Sequence, residues 1–529
     1  MISSRGLLAG VAIALIAARS VPARSQRTGS GAEAPTPCDP EAADDGDPGA
    51  GSGSGSGGAL VAPQDPTARA AWLRDRLAAA ISSRPTLANA RIAFAVRDLS
   101  SGQDLVSHEG DRRMTIASNA KLLTSVAALA GLGGGFRWRT AVFAKPPDDK
   151  GTVEGDLYLR GRGDPTLSVA ALQKLAADVA GRGVRTVLGR LVLDTTYFDG
   201  ATDPPHFDEQ PKERAAFRAP IASLGVNRGA IAITVRAEPG GGARVTLDPP
   251  SDHVKLAKVE VTSVDRGRTR LRIEQRTRAG TAEVDVTGQI RAGEGRWEIK
   301  RRIDDPARMA AELFRKALAE QGVRIRARAI GSGAVPVTLK PIAYHDSPPL
   351  ADVLRLVNKH SDNHAAEAVL KTLGAETKGT PGPATWADGL AAMRAGLARV
   401  GLSPDSYRSG NGSGLFASTE VSAQQLLILL TAAHRDYRIG PDLVASLSAG
   451  GQDGTLARRW IGRPAMGRVR AKTGTLDKVS TLAGYIGVDG GHLLAFAILV
   501  NEIPPGQRGM ARAMADEMVD ALAAYLGAT

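Results

Sequence analysis

The chain has 529 residues, 43% of them hydrophobic but only 4% aromatic, and carries a formal net charge of +12. That supply of apolar side chains supports real cores, and a prior of about 150 residues per domain gives roughly three or four domains. The charge invites nucleic acid, but no RNP, zinc-finger or recognition-helix pattern accompanies it. The expectation is therefore a basic protein working near an anionic polymer or surface, with no nucleic-acid partner. Cys38 is the only cysteine, which excludes an intramolecular disulfide and a cysteine zinc site.

The N-terminus pairs a short basic start, "MISSRG", with the apolar run Leu7–Ala18 and small residues at Val21–Ala23. This pattern predicts a signal peptide over 1–23 and export to the periplasm; the run is too short for a stable membrane span. An uncleaved, tethering signal is the alternative. Residues 24–66 are Gly/Ser/Pro/Asp-rich and predict a disordered linker that buries nothing.

Folded character begins with the helical "TARAAWLRDRLAAAIS", the strand pattern "ARIAFAVRDLSSGQ" and a helix within Thr115–Gly134. These form the first part of one domain, 67–135. From 136 to 339 short β-type segments follow one another, among them "GDLYLRG", "RTVLGRLVLD", "AIAITVRA" and "TRLRIEQR", interrupted chiefly by the helical Pro306–Val323. This reads as one or more β-rich inserted domains. Helical periodicity returns with Leu350, Val353, Leu354 and Val357, and the chain closes with a β-meander and a last helix. Residues 340–529 thus complete the domain that the insertion splits.

Three short motifs carry chemistry. Ser118 and Lys121 lie three apart on a helix, on one face, where the amine reaches the hydroxyl. A cation in a first helical turn opposes the helix dipole, so stability does not recommend Lys121. A base that takes the proton of an otherwise poor serine nucleophile does. The competing structural reading makes Ser118 an N-cap and Lys121 a solvated surface residue. Ser361-Asp362-Asn363 falls at a helix–helix junction, where the same three residue types also serve as plain caps. A second S-x-N, Ser409-Gly410-Asn411, competes for its role, and His360 and His364 have a metal-like spacing without the zincin glutamate. Lys472-Thr473-Gly474-Thr475 ends a strand whose Arg468, Arg470 and Lys472 share a face, suited to a carboxylate or to a charged, solvated edge.

In that order, S-x-x-K, S-D-N and K-T-G are the signature of penicillin-binding proteins and class A β-lactamases. Class A enzymes lack the long insertion and carry a Glu-x-x-Leu-Asn loop, whereas no Leu-Asn dipeptide occurs here. The chain resembles instead the D-alanyl-D-alanine carboxypeptidase/endopeptidase family of the class C low-molecular-mass type, serine peptidase family S13. The resemblance runs from about Thr67 to Gly527 through "RGRGDPTLS", "APIASLGVNRG", "SPPLADVLRLVNKHSDNHAAE", "GSGL" and "KTGTLDKVSTLAGYIGV".

The resemblance implies an α/β (α+β) fold: a β-lactamase/transpeptidase-like domain with an antiparallel sheet flanked by helices, plus the β-rich insertion. It implies a DD-carboxypeptidase with DD-endopeptidase activity on peptidoglycan stem peptides, acylated by β-lactams on the same serine and needing no metal or cofactor. Ser118 is then the nucleophile, Lys121 its base and Ser361 the donor to the leaving D-Ala. Asn363 holds the substrate amide, Lys472 and Thr473 bind the terminal carboxylate, and the N–H groups of Ser118 and Thr475 form the oxyanion hole. A non-catalytic binding protein of the same fold and a β-lactamase are the alternatives.

Two departures stand out. The family's Asp-Gly-Ser-Gly-Leu-Ser-Arg reads Asn411-Gly412-Ser413-Gly414-Leu415-Phe416-Ala417 here, and an aromatic-rich segment is replaced by "DPPHFDEQPKERAAF". With that arginine gone, and Arg408 the nearest substitute in sequence, weak preference for an anionic stem-peptide side chain is expected.

Overall fold

The structure is a computed structural model that describes residues 60–527 apart from 212, 279 and 489. The expected signal peptide, Cys38 and most of the expected linker lie outside the described residues. The linker's last residues do not conform to a segment that buries nothing. Ala62 is buried, and Asp65 caps the first helix, Pro66–Ser82, by accepting the N–H of Ala68 at 2.8 Å.

The centre of the fold is a six-stranded antiparallel sheet in the order Ser448–Ala449, Val469–Leu476, Val479–Gly487, Leu493–Asn501, Arg91–Asp98, Asp104–His108. Its strands alternate in size as well as in facing. Phe94, Val96, Phe496 and Ile498 point to one side, where Leu73 and Leu77 of the first helix and Met514, Met518 and Leu522 of the last (Arg508–Gly527) cover them. Ala93, Ala95, Ala483, Ala495 and Ala497 point to the other. Small side chains there let a second helical layer approach closely. That layer comprises Ala120–Leu132, Leu350–Lys359, Asn363–Thr377, Trp386–Arg399 and Ala423–Arg435.

The helix expected within Thr115–Gly134 begins later. Met114–Thr115 pairs as a short strand with Glu420–Val421, Ala117–Asn119 is a 3-10 turn, and the α-helix proper is Ala120–Leu132. It has no single apolar stripe: every residue from Ala120 to Leu129 is buried, because helices surround it on several sides. A helix buried all round cannot hold a solvated lysine, and Lys121 is 0% exposed.

A separate cluster of buried side chains gathers residues from Val142 to Ala343. The strands where the chain enters and leaves this region, Arg139–Phe143 and Pro341–Asp346, pair antiparallel side by side. The region also contains parallel pairing. Leu157–Arg160 runs parallel to Leu191–Asp194, with the helix Val169–Gly181 between them in sequence, and Val254–Val264 runs parallel to Thr281–Arg291. The segment "RTVLGRLVLD" forms two strands, Thr186–Val187 and Leu191–Asp194, in different sheets. Trp138, Phe198 and Ile221 belong to the core of the helical layer instead.

Candidate active site

Ser118 sits in the 3-10 turn just before the buried helix, half-exposed, and it is not the N-cap; that position is Asn119, whose side chain makes no capping bond. Asn119 instead donates to Thr481 Oγ1 at 2.8 Å, and Thr481 donates to the carbonyl of Ile116 at 2.9 Å. These bonds fasten the turn to the sheet. Ala117 holds a left-handed φ of 47°, a conformation costing about 1 kcal/mol or more in a non-glycine residue.

Behind Ser118, the Lys121 ammonium or amine nitrogen has three acceptors at hydrogen-bond distance. They are Ser118 Oγ at 2.8 Å, Asn363 Oδ1 at 2.8 Å and the Ser413 carbonyl at 3.1 Å. Residues more than two hundred positions apart in sequence therefore meet at one nitrogen.

Ser361 sits in the middle of the junction between Leu350–Lys359 and Asn363–Thr377, with φ 55°. Its hydroxyl accepts from Lys472 Nζ at 2.8 Å. Asp362 is the helix cap, accepting the N–H of Ala365 at 2.7 Å, which leaves Ser361 and Asn363 for the cleft.

Lys472 is 0% exposed, so the solvated, charged edge is not what forms. Arg468 precedes the strand, whose bounds are Val469–Leu476. The neighbouring strand Ser448–Ala449 pairs only with Arg470 and Ala471, so from Lys472 onward that side of the strand has no strand partner. Thr473 donates to Thr455 Oγ1 at 2.9 Å, and Thr475 is half-buried two residues further on. Gly474 must be glycine: a Cβ there would stand 2.7 Å from the Ile116 carbonyl and 3.1 Å from the Ser118 nitrogen. The strand thus lies directly against the Ser118 turn.

The competing Ser409 donates to the Asn411 carbonyl at 3.3 Å, within its own loop. His360 is exposed at a helix end, whereas His364 is half-buried beside Pro220, with Nδ1 sealed from solvent and without a partner. Desolvation lowers the His364 pKa to about 4.

Glu367 escaped the motif reading. It is 0% exposed, one turn after Asn363, and accepts the N–H of Gly412 at 2.9 Å and of Ser413 at 2.8 Å. Burial pushes its carboxyl up, against these hydrogen bonds and the charge of Lys121. A glutamate amid Ala, Val and Leu on "NHAAEAVLKTLG" was the available signal. Lys371, one turn further, is equally buried and pairs with Asp199 at 2.6 Å.

The two sequence departures meet in space. Phe207, from the replaced segment, packs edge-on against Phe416 with centroids 5.5 Å apart, and the Arg218 guanidinium lies 5.3 Å from the Phe416 centroid. Arg408 instead pairs with Glu420 at 3.0 Å. The arginine that reaches Phe416 is therefore Arg218. It is 2% exposed, with Nε unpartnered and its pKa lowered by desolvation.

An antiparallel sheet between helical layers, with a serine and a buried lysine at its edge, defines a β-lactamase/transpeptidase-like protein. The solved structure of penicillin binding protein 4 from Haemophilus influenzae shares this fold, with a TM-score of 0.70 and 22% identity over 84% of this chain and 98% of that one. So does the same protein complexed with a β-lactam, at a TM-score of 0.66 and 22% identity over 82% and 95%. The chain belongs to the D-Ala-D-Ala carboxypeptidase 3 (S13) family, whose sequence profile matches residues 73–525, and it is an enzyme of that class. It is 35% identical to a D-alanyl-D-alanine carboxypeptidase of Actinomadura sp. (strain R39), over 85% of this chain and 84% of that protein. It is 24% identical to the D-alanyl-D-alanine carboxypeptidase DacB of Haemophilus influenzae, over 78% and 86%.

Proposed function

We propose that the protein cleaves the terminal D-Ala–D-Ala bond of peptidoglycan stem peptides through an ester on Ser118, and that β-lactams acylate the same hydroxyl. The observation that carries this reading is the 2.8 Å contact between the Lys121 amine and Ser118 Oγ. A neutral amine has two N–H donors and one lone pair. The Asn363 and Ser413 oxygens accept the two donors, and the lone pair is left for the Ser118 hydroxyl proton.

In the first half-reaction Ser118 Oγ bonds to the scissile carbonyl carbon while its proton passes to Lys121. The N–H groups of Ser118 and Thr475 receive the negative charge that develops on the carbonyl oxygen. When the C–N bond breaks, the departing D-Ala nitrogen takes a proton through Ser361, which Lys472 holds at 2.8 Å. Asn363 fixes the substrate amide, and Lys472 and Thr473 pair with the terminal carboxylate. Water then adds to the ester, giving the shortened stem peptide and free Ser118. The unpaired side of the strand from Lys472 gives an extended peptide a place to lie.

The domain plan of this reading is a catalytic domain from 67–135 and 340–529, split by an inserted region at 136–339. Export by residues 1–23 places it in the periplasm with its substrate.

The test is covalent labelling by fluorescent penicillin. A band in the parent protein that is lost in Ser118→Ala, with unchanged thermal unfolding, is expected. Labelling that persists in Ser118→Ala places the nucleophile elsewhere.

A further inference from the structure

The net charge of +12 plays no part in the chemistry at Ser118, and at one end of the inserted region arginines outnumber the carboxylates Glu238, Asp265, Glu294 and Glu298 that lie among them. In the inserted region Arg236 stands directly opposite Arg244 on one neighbouring strand and opposite Arg296 on the other. Residues in such register share a face, and like charges directly opposite destabilise a sheet. All three are exposed. Arg244 pairs with Glu238 and Arg296 with Glu298, but Arg236 has no carboxylate at ion-pair distance among the described residues.

Three loop tips are tied together at this end. Ser263 N–H donates to the Gly241 carbonyl at 2.8 Å, Gln289 Nε2 to the Arg268 carbonyl at 3.0 Å, and Arg291 N–H to Thr269 Oγ1 at 3.0 Å. The middle tip adds Arg266, Arg268 and Arg270, all exposed and, among the described residues, none of them in an ion pair.

The location is as informative as the charge. The strand Ala230–Ala237 starts next to Gly229, where a Cβ would come within 3.8 Å of His364, the neighbour of Asn363. At about 3.3 Å per residue, Arg236 stands roughly 20 Å further out along the strand. The cationic end is therefore remote from the cleft and leaves it open.

We infer that this end of the inserted region binds an extended polyanion, a polymer bearing phosphate or carboxylate groups at short intervals, and so holds the enzyme against it. Adjacent strands place the three-arginine row at a spacing of about 5 Å, which suits repeating charges along one chain. Guanidinium groups pair with either oxyanion through two parallel hydrogen bonds. A lipid surface fits less well. A membrane-seated element carries apolar side chains among its cations, and none of the large exposed apolar residues lies in these tips.

Binding of fluorescent inorganic polyphosphate to the full chain, titrated at two salt concentrations, tests the inference. Arg236→Ser/Arg270→Ser is compared with Arg74→Ser/Arg458→Ser, which removes the same charge from exposed positions elsewhere. The tip variant is expected to lose about tenfold in affinity or more and to flatten the salt dependence, while the control loses less than about threefold. Penicillin labelling should be unchanged in both, showing that they fold. Equal losses would reduce the effect to net charge and overturn the inference. So would absence of binding by the parent protein, or binding to phosphatidylglycerol vesicles without binding to polyphosphate.

Discussion

Lys121 and Glu367 are joined through a single residue. Ser413 gives its N–H to the Glu367 carboxylate at 2.8 Å and its carbonyl to the Lys121 nitrogen at 3.1 Å. The carboxylate also holds Gly412 N–H, and Thr124 donates to the Gly412 carbonyl at 2.7 Å. Gly414, at φ 78°, rests so close to the Ser118 turn that a Cβ would lie 2.0 Å from the Ala117 carbonyl. The loop that completes the lysine's surroundings is thus clamped from one side by Glu367 and pressed from the other by the Ser118 turn.

Replacing Glu367 by Gln points an NH2 group at one of two backbone N–H donors and leaves a buried donor unsatisfied, at about 1–3 kcal/mol. The penicillin acylation rate should fall about ten- to a hundredfold. The buried negative charge that favours protonated Lys121 also disappears, so the acid limb of the pH–rate profile should move to lower pH. A slower rate with an unmoved limb would leave Glu367 a merely structural role.

Lys121→Arg should abolish acylation, because a guanidinium keeps its proton at any working pH. Stopped-flow acylation by a chromogenic cephalosporin measures this. A rate near the parent's would make Lys121 a positional charge and not the base.

Ser409→Ala should leave acylation within about twofold of the parent, since the hydroxyl bonds only within its own loop. Ser361→Ala should slow turnover about a hundredfold, as Lys472 loses the hydroxyl it holds. The reverse ranking in kcat would assign the proton relay to the wrong loop.

Arg218 lies beneath Phe416, whose φ of 62° is followed by 53° at Ala417, and the guanidinium is closed off from solvent. Paired kcat/KM values on stem peptides bearing a free side-chain acid or its amide should differ by less than about tenfold. Phe416→Ala uncovers the cation and should increase the preference for the acid. No change in that ratio would mean that Arg218 faces away from the substrate.

His364 should make the site acid-sensitive. Its pKa is about 4 in the folded chain, against 6.5 for the ordinary side chain. Between those values the unfolded chain binds the extra proton, so stability falls as pH drops through 6.5 and stops falling below 4. The loss is about 2 kcal/mol for a half-buried ring. In His364→Gln the fall in Tm between pH 7 and pH 4 should be smaller than in the parent.

The sequence by itself determined what local spacing encodes. S-x-x-K, S-D-N and K-T-G singled out side chains that the fold brings together beside one turn, and "ARIAFAVRD" and "HLLAFAILV" announced two strands that pair side by side in the main sheet. Strand pattern in the insertion was equally legible. Its parallel pairing was not, because a period of two residues says nothing about which strand lies alongside. Tertiary structure decided the rest. The spacing puts Lys121 within reach of Ser118, but its burial is decided only when helices from 350–435 close around it. Glu367 acquires its role only when a loop 45 residues away turns two N–H groups toward it. Arg218 and Phe416, far apart in the chain, become neighbours only by folding. Burial and hydrogen-bond partnership are properties of the assembled neighbourhood, and no periodicity in the chain carries them.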